Sequence, residues 1–426
     1  MSPLCWLRFV LLLVMMVRGT VSFSSYLLEL TIGPRLKSLE TLRNQEDYKN
    51  STSLDAVKEL VNKYGYPLEA YQITTTQGYI ITLHRIPYGR KRTGRKRQVV
   101  LLHPGFCGSP ELFLFRGPQH DMPYLFTDSG YDFWFINNRG NTYSRNHVTL
   151  NPDVDKEFWN FTLDDSGLHD LPNSVDFILE KTGQDGLILI GYSMGAGVGQ
   201  IMLSRRPEYN QKIKLFINLA PSVYVMHQLM PQLQMVFNLI PVLAENIMNN
   251  YNIYELFPRT KTREEILTAF CQNGSRTQRL CVMIAFLAMG FDYEQFNTDN
   301  FPNIFKYFPD GTSIQSILHL QQMYTTGEFK PYDYGNETNQ ILYNSTKPPE
   351  YDLTKNVAPM AIYYGDGDYI VAKEDCVFLA EKLPNVVGLF RVPFRNFNHL
   401  DFMWGINAKE LVYDHMNKLI NKYRQY

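Results

Sequence analysis

The sequence predicts an α/β protein, a mostly parallel central sheet covered by helices on both faces, with a helical cap inserted late in the chain. Three observations carry this. Short, nearly continuous apolar runs alternate with helical patterns, which is how strands buried on both faces read. The alternation lapses between about residues 221 and 349. A Gly-x-Ser-x-Gly pentapeptide stands directly after one apolar run and opens a helix.

The elements follow in order. Tyr71 to Ile86 is expected to form a hairpin turning at Gln77-Gly78, because β-formers flank a turn pair. Arg90 to Arg97 is basic and glycine-containing, as expected of a solvated loop. Buried strands are expected at Val99–Leu102, Tyr131–Ile136, Leu187–Ile190, Leu215–Leu219, Met360–Tyr364 and Gly388–Val392, with helices at Asp170–Lys181 and Ala196–Arg206. The stretch from Pro221 to Pro349 reads as helical and apolar near its start, then loop-rich. The expected organisation is a signal peptide over 1–22, an N-terminal extension over 23–52, and a first core segment over 53–220. A cap or lid over 221–350 and a second core segment over 351–426 complete it.

Composition narrows the function. The 426 residues are 45% hydrophobic and 14% aromatic, enough for a large core, which excludes a disordered or coiled-coil chain. The 41 Lys and Arg balance 42 Asp and Glu, so the basic excess of a nucleic-acid binder is missing and none is expected as partner. No apolar run reaches the roughly 18 residues of a membrane span. Phe9–Val17 is apolar, follows Arg8 and precedes small residues, the form of a secretory signal with a cut after Ser22 or Gly19. Secretion is therefore the expected destination, with a lysosomal one as alternative. Sequons at Asn50, Asn160, Asn273, Asn336 and Asn344 then imply a glycosylated surface.

The chemistry lies at three places. Gly191-Tyr192-Ser193-Met194-Gly195 follows a strand and starts a helix. So sharp a turn strains the nucleophile's backbone and requires small neighbours two residues away on either side. Serine needs a base oriented by an acid. The loop Gly365-Asp366-Gly367-Asp368 ends a buried strand; Asp368 is the expected acid, ahead of Asp366 and Asp375, because it lies where the loop turns back over the sheet. His399, after the last strand, is the expected base. The order Ser193, Asp368, His399 is that of the α/β-hydrolases. An oxyanion hole is expected from the main-chain N–H groups of Phe106, in the turn-rich His103-Pro104-Gly105-Phe106-Cys107-Gly108, and of Met194. Metal-ligand spacings and phosphate-binding fingerprints are missing, so neither metal nor cofactor is expected.

Longer motifs carry a resemblance. Tyr64–Tyr71, Gly78–Gly89, Gly130–Trp134, Asn138–Thr142, Phe158-Trp159, Asp170–Pro172, Asp176–Ile178, Lys181–Gly183 and Asn398–Phe402 occur in order from about Lys63 to the C-terminus. On these, the chain resembles the acid lipases, the animal gastric and lysosomal lipases with their insect relatives. The resemblance implies an α/β-hydrolase core, a helical cap, and hydrolysis of triacylglycerol or steryl esters at a lipid interface. It places Ser193, Asp368 and His399 at the triad positions and Phe106 and Met194 at the oxyanion positions. The chain departs from the family pattern at Tyr192 and Met194, where His and Gln are common, and at His103-Pro104-Gly105, where His-Gly is usual. Two rivals share the fold: an esterase for soluble substrates and a non-catalytic lipid carrier.

Two further expectations concern the cap. Leu229, Leu233, Phe237 and Ile240 recur at helical spacing and are expected to line the acyl site or touch lipid. Beyond Cys5 in the signal, four cysteines allow three pairings. Cys271–Cys281, enclosing a short polar loop, is the expected bridge, and the resemblance implies a local cap disulfide there. Cys107 and Cys376 are left as free thiols, and a bridge between them is the main competitor.

Overall fold

A computed structural model describes residues 56–90, 96–227 and 231–424, with side chains omitted at 231–237 and 262. The signal peptide, the N-terminal extension, the Asn50 sequon and Leu229 lie outside the described residues, as do the side chains of Leu233 and Phe237.

The described residues open with helix α1 (Ala56–Lys63), and nine strands among them then build one sheet, with a separate short ladder in the cap. The strands in chain order are β1 (Glu69–Thr74), β2 (Tyr79–Ile86), β3 (Val99–His103), β4 (Asp132–Ile136), β5 (Asn146–His147), β6 (Leu187–Tyr192), β7 (Ile213–Leu219), the ladder pair β8 (Glu255–Leu256) and β9 (Thr312–Ser313), then β10 (Met360–Tyr364) and β11 (Val386–Arg391). The sheet order is β1-β2-β4-β3-β6-β7-β10-β11, with β5 beside β2. From β4 through β11 neighbours run parallel; β1, β2 and β5 form the antiparallel edge. Parallel neighbours need crossovers, and the crossovers put helices on both faces. The middle strands are accordingly buried along their length: Val99 to His103, Leu187 to Tyr192 and Met360 to Tyr364 have no exposed residue.

The first hairpin turns at Thr75–Gly78, where Gly78 takes φ 87 and the Thr75 hydroxyl accepts from the Tyr79 N–H. The core helices are α2 (Met122–Asp128), α3 (Leu171–Thr182) and α4 (Met194–Arg205). α3 continues a shorter helical turn from Leu163 through a π-type turn at Ser166–Asp170, a feature no hydrophobic period announces. Gly183 ends α3 in the left-handed conformation, φ 60, as a C-terminal glycine does.

Between β7 and β10 the described residues hold six helices: α5 (Pro231–Tyr251), α6 (Lys261–Cys271), α7 (Gln278–Met289), α8 (Phe301–Tyr307), α9 (Ile314–Thr326) and α10 (Asn336–Tyr343). The later part of this stretch is thus helical rather than loop-rich. α10, Asn-Glu-Thr-Asn-Gln-Ile-Leu-Tyr, buries only Asn339, so it lacks the apolar stripe by which a helix is read. Cys271 and Cys281 are joined, linking the end of α6 to α7; Cys107 and Cys376 are free and buried. The core closes with α11 (Lys373–Lys382), α12 (Asp401–Trp404) and α13 (Asp414–Lys422).

Candidate active site

Ser193 stands between β6 and α4 at φ 54, ψ −119, a conformation costing a non-glycine residue on the order of 1–3 kcal/mol. The surroundings hold it there. Its N–H donates to Leu219 O of β7 (2.9 Å), and its carbonyl accepts from Ala196 and Ser222 N–H (3.1 Å each). The flanking glycines are steric necessities: a Cβ at Gly191 would lie 2.6 Å from Ala196 Cα, and one at Gly195 would lie 2.3 Å from His103 O.

The acid and base come from loops at the C-terminal ends of β10 and β11. His399 Nε2 is 2.9 Å from Ser193 Oγ, and His399 Nδ1 is 2.7 Å from Asp368 Oδ2. Asp368 Oδ1 accepts the N–H groups of Ile370 (2.8 Å) and Val371 (2.9 Å), which fixes the carboxylate's orientation. All three side chains are buried. The two loops lie directly on each other, because Cβ atoms at Gly365 and Gly367 would meet Phe397 O at 2.1 Å and Asn396 O at 2.3 Å. The other two acids of this region are engaged elsewhere. Asp366 bonds the exposed Arg391. Asp375 accepts from the Met226 and His227 N–H groups and pairs with the His227 ring, tying α11 to the entry of the cap.

Met194 occupies the first position of α4, where a helix leaves its N–H free of intrahelical partners. Phe106 lies on the loop after β3. That loop is held by Gly108 N–H to Gly105 O (3.1 Å) and by Asn138 Nδ2 to Gly105 O (3.0 Å). Cys107 follows at φ 53, and its carbonyl accepts from Asp310 N–H of the cap (2.9 Å). Asp310 Oδ1 in turn accepts from the Thr142 hydroxyl and N–H. Burial pushes the Cys107 and Cys376 thiols up, which makes both poor nucleophiles. Burial also lowers His103 to about 4, so it sits neutral beneath the loop.

Sequence reasoning missed three contributors. The Tyr192 hydroxyl donates to His399 O (2.9 Å), so the residue before the nucleophile anchors the base loop. Its only signal is the variable place in the pentapeptide. Ser222 Oγ lies 3.4 Å from Ser193 Oγ, from the loop after β7. Arg139 is buried, forks onto Asp170 at 2.6 and 3.0 Å, and stacks 3.9 Å from the Tyr79 ring, bracing the π-type turn against β2. Ile240 is half-buried on α5. The sequon residues Asn160, Asn273, Asn336 and Asn344 are exposed.

Comparisons with known proteins agree with this fold. Residues 98–406 match the family model described as alpha/beta hydrolase fold, and residues 57–117 match the partial alpha/beta-hydrolase lipase region. Gastric triacylglycerol lipase of Homo sapiens is 33% identical over 378 residues, 86% of this chain and 91% of that protein. Lipase 3 of Drosophila melanogaster is 36% identical over 369 residues, 86% and 92% of the two chains. Lipase member N of Mus musculus aligns over 99% of this chain and all of its own, at 33% identity. A crystal structure from Sulfolobus solfataricus superposes with TM-score 0.56 at 15% identity, covering 84% and 94% of the two chains, a likeness of fold.

Proposed function

The chain belongs to the acid lipase family of α/β-hydrolases, and from that premise we propose that it hydrolyses lipid esters, triacylglycerol or steryl ester, through Ser193, His399 and Asp368. The observation that carries this reading is the unbroken contact chain from Ser193 Oγ to His399 (2.9 Å) to Asp368 (2.7 Å). His399 Nε2 takes the hydroxyl proton as Ser193 Oγ attacks the ester carbonyl. Asp368 holds the ring with Nδ1–H toward itself and stabilises the imidazolium. The developing oxyanion is met by the N–H groups of Met194 and Phe106. His399 then gives its proton to the departing alcohol. In the second half it takes a proton from water, which attacks the acyl-Ser193 ester, and returns that proton to Ser193 Oγ as the acyl–oxygen bond breaks and the fatty acid leaves. Every proton is carried by His399.

Two observations favour a lipid over a small soluble ester. The triad is buried, and the cap residues Met289 and Gly290 rest on both of its loops, so the site is screened from bulk water. The cap also exposes apolar side chains: Met283 and Leu287 share one face of α7, with Ile266 on α6 and Val242 on α5. Such a face is unfavourable in water and favourable against lipid. Residues 1–22 as a secretory signal and glycans at the exposed sequons complete the reading, and the Cys271–Cys281 bridge suits an oxidising compartment.

The test is Ser193→Ala, assayed on long-chain triacylglycerol emulsion, cholesteryl ester and a short soluble ester. Turnover is expected to fall by several powers of ten on all three while the thermal melt is retained. A wild type that turns over only the soluble ester refutes the lipid reading, and an active alanine variant refutes the nucleophile.

A further inference from the structure

One short segment of the cap rests on both catalytic loops. Met289 ends α7, and its carbonyl lies 3.4 Å from the N–H groups of Tyr369, beside the acid, and of His399 itself. Gly290 follows at φ 115, where a Cβ would lie 2.0 Å from Gly367 O, and its carbonyl accepts from Asn398 Nδ2 (2.8 Å). Farther along, Gln295 O accepts from Ile406 N–H (2.7 Å), and Phe296 bridges Gly405. Asp292 sits within this segment. Its Oδ1 accepts from the Glu294 and Gln295 N–H groups (3.0 Å each). Asp401, two residues past His399, accepts at Oδ2 from Asn398 N–H (2.7 Å).

One oxygen of each carboxyl is then left over. Asp292 Oδ2 and Asp401 Oδ1 are buried and receive no donor; the seam contacts Gly290–Asn398 and Gln295–Ile406 bracket the two residues, and each carboxyl acts on the other across the seam. Two orphaned carboxylates that act on each other in a buried seam repel unless a proton is held between them.

We propose that Asp292 and Asp401 share one proton, and that this acid–carboxylate bond positions His399 by fastening the cap segment onto the base loop. The inference rests on the triad reading above. The groups facing the pair reinforce it. Glu294 acts on Asp292 from the cap segment, and Asp368 acts on Asp401 from the acid loop; Tyr192 and Tyr413 also face Asp401, and burial raises both phenols so that they stay neutral. Arg116, which packs on the same region through Gly405 O, is committed to Asp121. Burial, followed by the neighbouring negative charge, lifts Asp401 well above the carboxylate range, and burial raises Asp292 as well. Because the folded values are raised, the contact is complete below the ordinary carboxylate range and is lost as pH climbs through the raised values. With both carboxylates charged, the segment 289–296 is pushed off the loop that carries His399.

The test uses the full chain and a short soluble ester, with kcat and KM measured against pH for wild type and Asp292→Asn. The amide supplies a donor that does not titrate. Wild-type kcat is expected to fall on the alkaline side by about tenfold per pH unit, as for loss of one proton. One unit past that midpoint Asp292→Asn retains roughly tenfold more kcat than wild type. The acid side stays where it was, and KM is unchanged. An alkaline limb that overlays wild type, or an equal loss of kcat at every pH, overturns the proposal. If the variant does not fold, infrared spectroscopy of wild type decides: a protonated carboxyl band persisting above the ordinary carboxylate titration supports the shared proton, and its absence overturns it. That band does not depend on turnover, so a failure of the triad reading is distinguishable from a failure of this one.

Discussion

Replacing Gly195 by Ala tests how tightly the nucleophile turn and the oxyanion loop are built together. The added Cβ would sit 2.3 Å from His103 O and 2.6 Å from Pro104 O. A carbon–oxygen contact relaxes to about 3.3 Å, so the main chain after β3 must retreat by about 1 Å. Both contacts are backbone and cannot rotate away. The residues displaced lead directly to Phe106, one of the two proposed oxyanion donors. A misplacement of about 1 Å costs on the order of a hundredfold, and loss of one donor costs about 10²–10³ in kcat, or ~2.7–4 kcal/mol. The expected result on a short soluble ester is therefore a kcat lowered by two to three powers of ten, with KM nearly unchanged. Gly183→Ala is the control, since Gly183 has φ 60 but open space around its Cα. There only left-handed strain is added, roughly 1 kcal/mol of stability with no change in kcat. A folded Gly195→Ala enzyme with kcat within threefold of wild type would refute the reasoning.

Three other outcomes follow from the structure. Asp368→Asn is expected to lower kcat by about 10⁴, because the amide can hold His399 in the wrong tautomer. Asp366→Asn is expected to leave kcat within a few-fold, since Asp366 only pairs with exposed Arg391; kinetics of the two variants side by side check the assignment, and a reversed ranking makes Asp366 the acid. The paired change Met283→Asp and Leu287→Asp is expected to reduce hydrolysis of an emulsion by at least about tenfold while sparing a soluble ester; equal loss on both substrates would mark α7 as structural support alone.

The sheet was legible because strands buried on both faces carry uninterrupted apolar runs, and Val99–Leu102 or Leu187–Ile190 has no other simple explanation. The nucleophile was legible because its turn demands glycine at two fixed places. The two-residue β5 was not, since Asn146-His147 is polar and gains its place only by pairing with β2. The π-type turn before α3 and the polar helix α10 escaped for related reasons. One depends on the Arg139–Asp170 contact between distant residues, and the other has no apolar stripe. Asp292 was invisible as well. Its meaning comes from facing Asp401 across a seam that joins residues more than a hundred positions apart, and no spacing along the chain records that.

The central claim is that Ser193 is the group acylated in turnover. An alkyl phosphonate ester that mimics the tetrahedral intermediate, followed by peptide mass mapping, tests it most directly. The account predicts one adduct, on the peptide containing Gly191-Tyr192-Ser193-Met194-Gly195, formed in step with loss of activity and missing from Ser193→Ala. Inactivation with the adduct on another residue, Ser222 included, or an active wild type that takes up no label, would contradict it.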